Sequence, residues 1–254
     1  MLSVVIPTFN AEATLAPCMA ALVPAVIDGL VREVIVADGG SQDRTLRIVE
    51  QAGAKIVVSG RGRGLQIASG VSSVKTPWIL IVHADTVLEH GWSSEAASFM
   101  QHVDEQRRPL GAAAFQLALD DHGLAPRLVE FGARSRAQLL KRPYGDQGLL
   151  IPRVLYERIG GIKPLPIMED LDLVKRIGRD RMTILRSKAV TSPLRYRTDG
   201  YVKRVLKNQY CLALFALGVP LHRIARVYAG EPALEPTGDF LPGALEAGEE
   251  NKPH

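Results

Sequence analysis

The chain has 254 residues, of which 46% are hydrophobic and 23% are charged, and its net charge at pH 7 is +4. This composition is typical of a globular protein with one large domain, or with one domain and a small appendage. It excludes a membrane-spanning protein, because no run of 18 apolar residues occurs. The first residues, MLSVVIP, lead directly into a predicted strand without the features of a signal peptide, so we expect a cytoplasmic protein with reduced cysteines.

The charge is distributed unevenly along the chain. Residues 231–254 contain six acids and one base, so the net charge of the preceding residues is +9. This acidic segment is rich in Pro, Gly and Glu, and we predict that it is disordered. A basic body favours an anionic partner, such as a nucleotide, a phospholipid surface or a nucleic acid.

Apolar, β-branched runs alternate with helix-like segments in the first part of the chain. This alternation predicts an α/β fold with a central, mostly parallel sheet flanked by helices, whose first part, about residues 1–90, binds a nucleotide. The predicted strands lie at 2–7, 33–37, 55–58 and 78–82, and the predicted helical segments lie at 11–28, 43–53 and 63–74.

The second part of the chain is less regular. It predicts further helices and strands and then a helical C-terminal segment that is interrupted at Gly218-Val219-Pro220. The predicted helices lie at 92–106, 125–141, 169–179 and 199–228, with another beginning near Arg153, and the predicted strands lie at 111–119, 147–152 and 182–186.

The turn after the first predicted strand has the sequence Pro7-Thr8-Phe9-Asn10-Ala11-Glu12. Backbone N–H groups at such a turn and at a helix N-terminus bind anions. Thr8 and Asn10 are also ordinary helix-capping residues, so this turn alone does not indicate a ligand. The chain lacks GxGxxG and GxxxxGK[ST] here, which argues against a dinucleotide-dependent dehydrogenase and a P-loop NTPase.

Two further motifs follow the second and third predicted strands. Asp38 ends the second strand, and a carboxylate at the carboxyl edge of a sheet can accept hydrogen bonds from a base or a ribose. The segment Gly60–Gly64 contains Arg61 and Arg63 between glycines. It is either a loop that approaches and neutralises a diphosphate or a flexible solvated loop.

The segment His83-Ala84-Asp85-Thr86 follows the most apolar predicted strand. A carboxylate in this position suits Mg²⁺ or Mn²⁺ bound to diphosphate oxygens. A DxD sequence would be a stronger metal signal, because only one carboxylate remains here. A histidine alone is more often a packed or capping residue than a ligand.

Acidic residues open the predicted helix at 169–179, in the sequence Glu169-Asp170-Leu171-Asp172. Carboxylates in the first turn are favoured by the helix dipole, and we assign Asp172 to this role. A carboxylate that instead faces a cleft can act as a general base toward a hydroxyl.

Taken together, these motifs resemble the family 2 glycosyltransferases with a GT-A fold, from Ser3 to about Arg179. Within the family the chain is similar to a small bacterial branch with a GRG-type loop, HADT and GDQG. The segments that carry the resemblance are VVIPTFN, VIVADGGSQDRT, ILIVHADT and GLLIPRVLYERIGGI…MEDLDLVKRI, together with Arg61-Gly62-Arg63, His83–Thr86 and Gly145-Asp146-Gln147-Gly148.

The resemblance implies a GT-A domain over residues 1–190, with a nucleotide-binding half at about 1–90 and an acceptor half at about 91–190. Basic amphipathic helices would follow at 191–230. The implied activity is inverting transfer of a sugar from a nucleoside-diphosphate sugar, with UDP as the nucleotide, to an acceptor hydroxyl. A divalent cation, Mg²⁺ or Mn²⁺, would be required.

The resemblance also implies site residues. Asp170 would be the general base with Glu169 beside it, and Asp85 would bind the metal. His83 departs from the family pattern, because many relatives have the first Asp of DxD at this position. Gly145, Asp146 and Gln147 would lie on the acceptor side. The residues implied to bind the nucleotide or the donor sugar are Pro7, Thr8, Asn10, Glu12, Asp38, Arg61, Arg63, His83 and Ala84.

The C-terminal segment at about 195–228 combines basic and apolar residues. Between Arg195 and Arg226 the chain contains seven Arg or Lys residues and one acid, Asp199. Such a segment either packs on the domain or makes peripheral contact with the inner face of an anionic membrane, near a lipid-linked acceptor. Its apolar helices are also compatible with a homodimer.

Three other functions compete with this interpretation. A nucleotidyltransferase would normally have a glycine-rich phosphate loop followed by Lys near the N-terminus, which PTFNAEATLAP lacks. A nucleotide-sugar-binding protein without transferase activity is disfavoured by Asp38, Asp85 and Asp170. Nucleic acid is not expected as a partner, because aromatic residues make up only 6% of the chain.

Overall fold

The computed structural model describes residues 1–229, and the acidic tail predicted to be disordered, 231–254, lies outside them. The described chain forms one sheet of eight strands. The strands are β1 (Leu2–Thr8), β2 (Val31–Asp38), β3 (Lys55–Val58), β4 (Trp78–Ile81), β5 (Thr86–Leu88), β6 (Ala112–Leu119), β7 (Leu149–Pro152) and β8 (Met182–Thr191).

The strand order in the sheet is β3-β2-β1-β4-β7-β6-β8-β5. The first four strands in this order pair in parallel, as the alternating pattern predicts. β7 is antiparallel to both β4 and β6, β6 and β8 are parallel, and β5 is antiparallel to β8. The α/β prediction with a mostly parallel sheet is therefore confirmed, and each antiparallel pairing involves β7 or β8 from the second part of the chain.

Helices cover the sheet and extend beyond it at the C-terminal end of the described residues. The helices are α1 (Leu15–Ala20), α2 (Val23–Ile27), α3 (Thr45–Gln51), α4 (Arg63–Ser72), α5 (Trp92–Asp104), α6 (Leu124–Leu140), α7 (Arg153–Arg158), α8 (Glu169–Ile177), α9 (Leu194–Asp199), α10 (Tyr201–Ala216) and α11 (Leu221–Ala229).

Two hydrophobic cores lie on opposite faces of the sheet because alternate residues of a strand point to opposite faces. Val4 and Ile6 of β1 pack with Trp92 of α5 in one core. Val5 packs with Ile67 of α4 in the other. A third, smaller cluster joins Met168, Cys211 and Ile224, so it attaches α10 and α11 to the start of α8.

Both cysteines are buried and free, as expected from their separation in the sequence. Within residues 1–229 no helix is long and apolar enough to cross a membrane.

Two local predictions differ from the structure in their bounds. The segment 11–28 forms two short helices, α1 and α2, because Pro24 has no N–H group and cannot continue a helix through the first turn of α2. The predicted interruption at Gly218-Val219-Pro220 is confirmed, since α10 ends at Ala216 and α11 begins at Leu221, and a further break at Gly200, whose φ of 81° is left-handed, separates α9 from α10.

The strand predicted at 182–186 continues to Thr191 as β8, because it pairs with β6 on one side and with β5 on the other. β5 itself has only three residues and was not predicted.

Candidate active site

The carboxyl ends of β1 and β2 meet at one edge of the sheet. Thr8 donates a hydrogen bond to Asp38 Oδ1 (3.0 Å), and both side chains are buried. Asp38 also accepts bonds from the backbone N–H groups of Gly40 and Ser41 and from the Ser41 hydroxyl (2.9, 2.8 and 2.5 Å). Pro7 lies in the buried strand β1. Asp38 therefore shapes the turn after β2 in addition to any contact with a nucleotide.

Hydrogen bonds from backbone N–H groups to side-chain oxygens join the turn after β1 to the turn after β2. Asn10, at a φ of 50°, accepts a hydrogen bond from the Gln42 N–H group through its Oδ1 atom. Glu12 accepts bonds from the Arg44 N–H group and from Arg44 Nε (2.9 and 3.2 Å), and Arg44 lowers the pKa of this carboxylate. Asn10 and Glu12 thus hold the two turns together at this edge.

The two arginines of the basic loop lie in different places. The Arg61 guanidinium lies over the partly exposed Phe9 ring, 4.3 Å from the ring centroid. Arg63 begins α4, donates a hydrogen bond through Nε to Glu169 Oε1, and lies 3.8 Å from Asp170 Oδ1 through Nη2. Arg61 therefore lies at the β1–β2 edge with Phe9, whereas Arg63 contacts the acidic pair.

Glu169 and Asp170, the acidic pair, begin α8, and their side chains point in different directions. Glu169 is buried against Arg63, whereas Asp170 is partly exposed. Burial opposes the charged form of Arg63, but Asp170 and Glu169 outweigh it and raise the pKa of the guanidinium. Met168, which precedes the pair, has a left-handed backbone with a φ of 62°. Such a conformation costs on the order of 1–3 kcal/mol and is typical of functional sites.

Asp170 is oriented by two backbone N–H groups. Gly145 donates to its Oδ2 atom (2.6 Å) and Leu171 donates to its Oδ1 atom (2.9 Å). A carboxylate has about four lone-pair positions, so Asp170 can still accept a proton from a bound hydroxyl. Gly145 begins a 3-10 turn, Gly145–Gln147, that faces the start of α8.

Asp170 lines a cavity of about 390 Å³ at this edge of the sheet. Residues from the carboxyl ends of β4 and β8, from the 3-10 turn and from the C-terminal helices surround it. Its polar and charged lining residues include Arg63, His83, Asp85, Tyr144, Asp146, Glu169, Asp170, Thr191, Ser192, Arg195, Tyr196, Arg204, Asn208 and Tyr228.

His83 and Asp85 enter this cavity from the loop after β4. Burial, reinforced by the charge of Arg63, lowers the pKa of His83 to about 4, so its imidazole is neutral at neutral pH. A neutral imidazole can ligate a metal ion, and the Asp85 carboxylate offers a hard oxygen beside it. The two residues match the spacing of a DxD motif with an imidazole in the first position.

These residues fit a divalent cation that shares its coordination with a ligand. No group of three or more His, Cys, Asp or Glu side chains positioned to hold a metal occurs within residues 1–229. Mg²⁺ and similar ions at phosphate sites are commonly held by one or two carboxylates plus phosphate oxygens and water, so a smaller protein ligand set is sufficient. Asp85 and His83 would hold the ion, Mn²⁺ or Mg²⁺.

Eight of the residues implied by the resemblance do not line the cavity: Pro7, Thr8, Asn10, Glu12, Asp38, Arg61, Ala84 and Gln147. The Ala84 side chain packs in the hydrophobic core. Gln147 is fully buried, donates to the Phe115 carbonyl (2.8 Å) and accepts from the Tyr144 N–H group (3.2 Å), so it holds the 3-10 turn in place.

Asp146 does line the cavity, and its Oδ1 atom is buried without a hydrogen-bond partner. Burial raises the pKa of Asp146 to about 6; Asp170 and Asp85 add to the shift, and Arg136 opposes it.

The contribution of the C-terminal segment to the cavity was not predicted from the sequence. Arg195 follows β8, and Arg204 is a buried residue of α10 that bonds Asp199 (3.0 Å) and the Tyr228 hydroxyl. Both arginines belong to the segment 195–228, for which the sequence left packing on the domain and membrane contact as alternatives. Arg195 lies in α9, shortly after β8 ends at Thr191, which places it near the carboxyl edge of the sheet.

Residues 3–106 match the family model described as glycosyl transferase family 2. Over 85 residues the chain is 34% identical to glycosyltransferase AglJ of Haloferax volcanii. The match spans 33% of this chain and 27% of the archaeal protein.

The fold is similar to that of solved glycosyltransferases. It matches glucosyl-3-phosphoglycerate synthase from Mycobacterium tuberculosis, in complex with Mn²⁺, UDP and glucosyl-3-phosphoglycerate, with a TM-score of 0.59 and 18% identity over 87% of this chain and 81% of that chain. It also matches S. aureus TarS, residues 1–349, in complex with UDP-GlcNAc, with a TM-score of 0.57 and 19% identity over 75% of this chain and 58% of that chain. At this level of identity the likeness shows the fold, which is GT-A.

Proposed function

We propose that this chain, which through residues 3–106 belongs to glycosyl transferase family 2, transfers a sugar from a nucleoside-diphosphate sugar to an acceptor hydroxyl with inversion at the anomeric carbon. UDP is the proposed nucleotide, since the solved relatives were crystallised with UDP or UDP-GlcNAc. The observation that carries the proposal is the orientation of Asp170 by Gly145 and Leu171 in a cavity that also contains Arg63 and Asp85.

The donor would bind along the carboxyl edge of the parallel strands. The turns stabilised by Asp38, Asn10 and Glu12 would contact the nucleoside, with the Arg61–Phe9 pair beside them. Asp85 and His83 would hold the divalent ion, which supplies positive charge to the departing nucleotide diphosphate. The exposed cation Arg195 would face the same phosphate oxygens.

Asp170 would take the proton from the acceptor hydroxyl as its oxygen attacks the anomeric carbon from the side opposite the nucleotide. The two N–H bonds to Asp170 fix the direction of its free lone pairs. Arg63 neutralises the buried Glu169 beside it, so that two carboxylates can stand together without sharing a proton. General-base catalysis contributes roughly 10²–10⁴-fold to rate.

Replacing Asp170 with Asn tests this assignment. We expect the rate of UDP release from UDP-glucose or UDP-GlcNAc with Mn²⁺ to fall by at least about 10²-fold, while the Kd for UDP changes little. Asp172→Asn is the matched control, because Asp172 lies on the same helix but bonds Arg176 outside the cavity.

Normal turnover by Asp170→Asn would contradict the base assignment. Donor binding without UDP release by the wild-type protein would instead support a nucleotide-sugar-binding protein without transferase activity. The nucleotidyltransferase alternative predicts a sugar 1-phosphate instead of UDP in these assays, because transfer of the nucleoside monophosphate from a UDP-sugar leaves the sugar with the second phosphate, and product analysis would reveal it.

We propose a lipid-linked acceptor and peripheral membrane contact through the segment 195–228, for an enzyme on the cytoplasmic side. Val202, Leu206 and Tyr210 of α10 are 74%, 63% and 56% exposed. They are four residues apart and therefore share one helix face, next to Lys203 and Lys207. Such a face suits the interface of an anionic bilayer.

Flotation with phosphatidylglycerol-containing liposomes tests this contact. We expect Leu206→Glu to weaken membrane association by several-fold, because it places a charge on the apolar face near an anionic surface. Val154→Glu on α7 is the control, since Val154 is also exposed but lies on a different helix. Equal, negligible association of the wild-type protein and both variants would remove the membrane proposal, and a concentration-dependent dimer lost in Leu206→Glu would assign this face to a homodimer.

A further inference from the structure

A second cavity, of about 1010 Å³, adjoins the active-site cavity. It lies among α6, α8 and α10, and its size is at the upper end of the range for small-molecule sites. The two cavities are adjacent, because they share the lining residues Tyr144, Asp146, Leu171, Tyr196, Asn208 and Leu212.

Two unpartnered polar atoms lie where the cavities meet. In the described part of the chain, the buried side-chain oxygens without a hydrogen-bond partner are Asp146 Oδ1 and Asn208 Oδ1. Buried polar groups in folded proteins are nearly always hydrogen-bonded, so each unpaired atom requires an explanation. Because both residues line both cavities, a ligand that crosses the junction would lie next to both residues.

The walls of the second cavity are mainly apolar. Leu128, Val129 and Ala133 of α6 face the cavity, as do Leu212 and Phe215 of α10. This arrangement would accept an alkyl chain or an apolar ring system.

The charged lining residues of the second cavity are mostly cationic. Arg142 and Lys175 line it and make no ion pair among residues 1–229, and Asp146 is its only acid. Arg136 stacks on the Tyr144 ring, 3.3 Å from its centroid, and donates to the Arg142 carbonyl (3.1 Å), which fixes this end of the wall. The cavity therefore combines an apolar surface with unpaired positive charge.

We infer that the second cavity binds the acceptor, and that the acceptor is an anionic amphiphile with a hydroxyl group. Its apolar part lies between α6 and α10, its anionic group lies near Arg142 and Lys175, and its hydroxyl donates its one proton to Asp146 or Asn208 when it binds and to Asp170 when it reacts. The inference rests on the proposed transferase function. Asp146 directly follows Gly145, whose N–H group orients Asp170, so a hydroxyl held at Asp146 lies beside the proposed base.

A blocking substitution tests this assignment. A Cβ atom at Gly132 of α6 would meet no atom within 4 Å, although Gly132 lines the second cavity. Gly132→Phe can therefore fill the cavity without a clash at the substituted position. Gln138→Phe is the matched control, because Gln138 is an exposed residue of the same helix that lines neither cavity.

The binding probe is 1-octanoyl-glycerol 3-phosphate, which has an alkyl chain, a hydroxyl and a phosphate, and calorimetry measures its Kd with UDP and Mn²⁺ present. We expect the wild-type protein and Gln138→Phe to bind the probe alike and Gly132→Phe to bind it at least about tenfold more weakly. Glycerol 3-phosphate, which lacks the chain, should bind at least about tenfold more weakly than the probe to the wild-type protein.

Asn208→Leu gives a second readout that a purely structural role would not produce. The substitution removes a buried amide oxygen that has no hydrogen-bond partner and puts an apolar group of similar size in its place. We expect the melting temperature of the free protein to rise while the Kd for the probe increases several-fold. A purely structural asparagine would instead lower the melting temperature when replaced.

Two results would overturn the inference while leaving the proposed function intact. One is that the wild-type protein binds UDP but does not bind the probe at about 1 mM. This result would follow if α6 and α10 packed against a second copy of the chain. The other is equal probe binding by Gly132→Phe and Gln138→Phe. Loss of UDP binding in the wild-type protein itself would contradict the proposed function rather than the location of the acceptor site.

Discussion

At the scale of single residues, Gly145 is both closely packed and in contact with the proposed catalytic base, Asp170. Its N–H group orients Asp170. A Cβ atom added here would lie 2.9 Å from Asp170 Oδ2 and 3.0 Å from two ring atoms of His83. Only glycine therefore allows the 3-10 turn to approach both side chains.

Gly145→Ala should displace Asp170 or His83 and reduce the rate of UDP release by about 10²-fold, since misplacement by about 1 Å has this order of effect. The Kd for UDP measured without Mn²⁺ should change much less, because the atoms nearest to the added Cβ belong to Asp170 and His83 and not to the turns at Asp38 and Asn10. Steady-state UDP release and calorimetry separate the two quantities. An alanine variant with normal turnover would show that the contact does not position the base.

Several of the residues that line the cavity were predicted from the sequence. Asp85, Asp170 and Gly145 all lie in it, because strand ends and helix starts of an α/β fold meet at one edge. Their catalytic and binding roles stay predictions. The side-chain directions were beyond the sequence: Ala84 and Gln147 turn inward to the core because packing and hydrogen bonds outside their motifs decide their orientation.

At the scale of elements, the ion pair between Arg63 and Glu169 joins the start of α4 to the start of α8. Glu169 is 1% exposed, so removal of its partner leaves a buried charge without compensation. Breaking a buried pair in this way typically costs about 3–5 kcal/mol. Because Arg63 is itself partly exposed, we take the low end of this range.

Arg63→Met should therefore lower the free energy of unfolding by about 3 kcal/mol, and the double variant Arg63→Met/Glu169→Gln should recover most of that loss. Urea denaturation of the two single variants and the double variant measures the coupling. Additive losses in the double variant would mean that the two side chains do not stabilise each other.

The regular elements were predictable where one physical signal dominates. β1 to β4 follow from buried, β-branched runs between turn residues. β5 has three residues and exists because β8 lies beside it, so no local pattern marks it. The division of residues 11–28 depends on Pro24, a signal that was present in the sequence but not used.

At the scale of the whole molecule, the sheet brings together two parts of the chain with different topology. The parallel strands β3, β2, β1 and β4 present the turns proposed for the donor, and the mixed strands β7, β6 and β8 carry the 3-10 turn and Arg195. α10 and α11 close the cavity between them with Arg204 and Tyr228.

This closure could not be read from the sequence. The basic and apolar residues of the C-terminal segment are compatible with a membrane surface or with packing on the domain. The structure shows that Arg204 is buried and that Val202 and Leu206 of the same helix are exposed, so the two faces of α10 differ. Only the tertiary arrangement separates these faces.

We propose that the cavity binds a nucleoside diphosphate through a metal held at Asp85. Calorimetric titration of UDP into the wild-type protein, with and without Mn²⁺, tests it most directly, with Asp85→Asn as the test variant and Asp180→Asn as a control remote from the cavity. We predict that UDP binds the wild-type and Asp180→Asn proteins at least about tenfold more tightly with Mn²⁺, and that Asp85→Asn loses most of this gain. UDP binding that is independent of Mn²⁺, or equally metal-dependent in Asp85→Asn, would contradict the account.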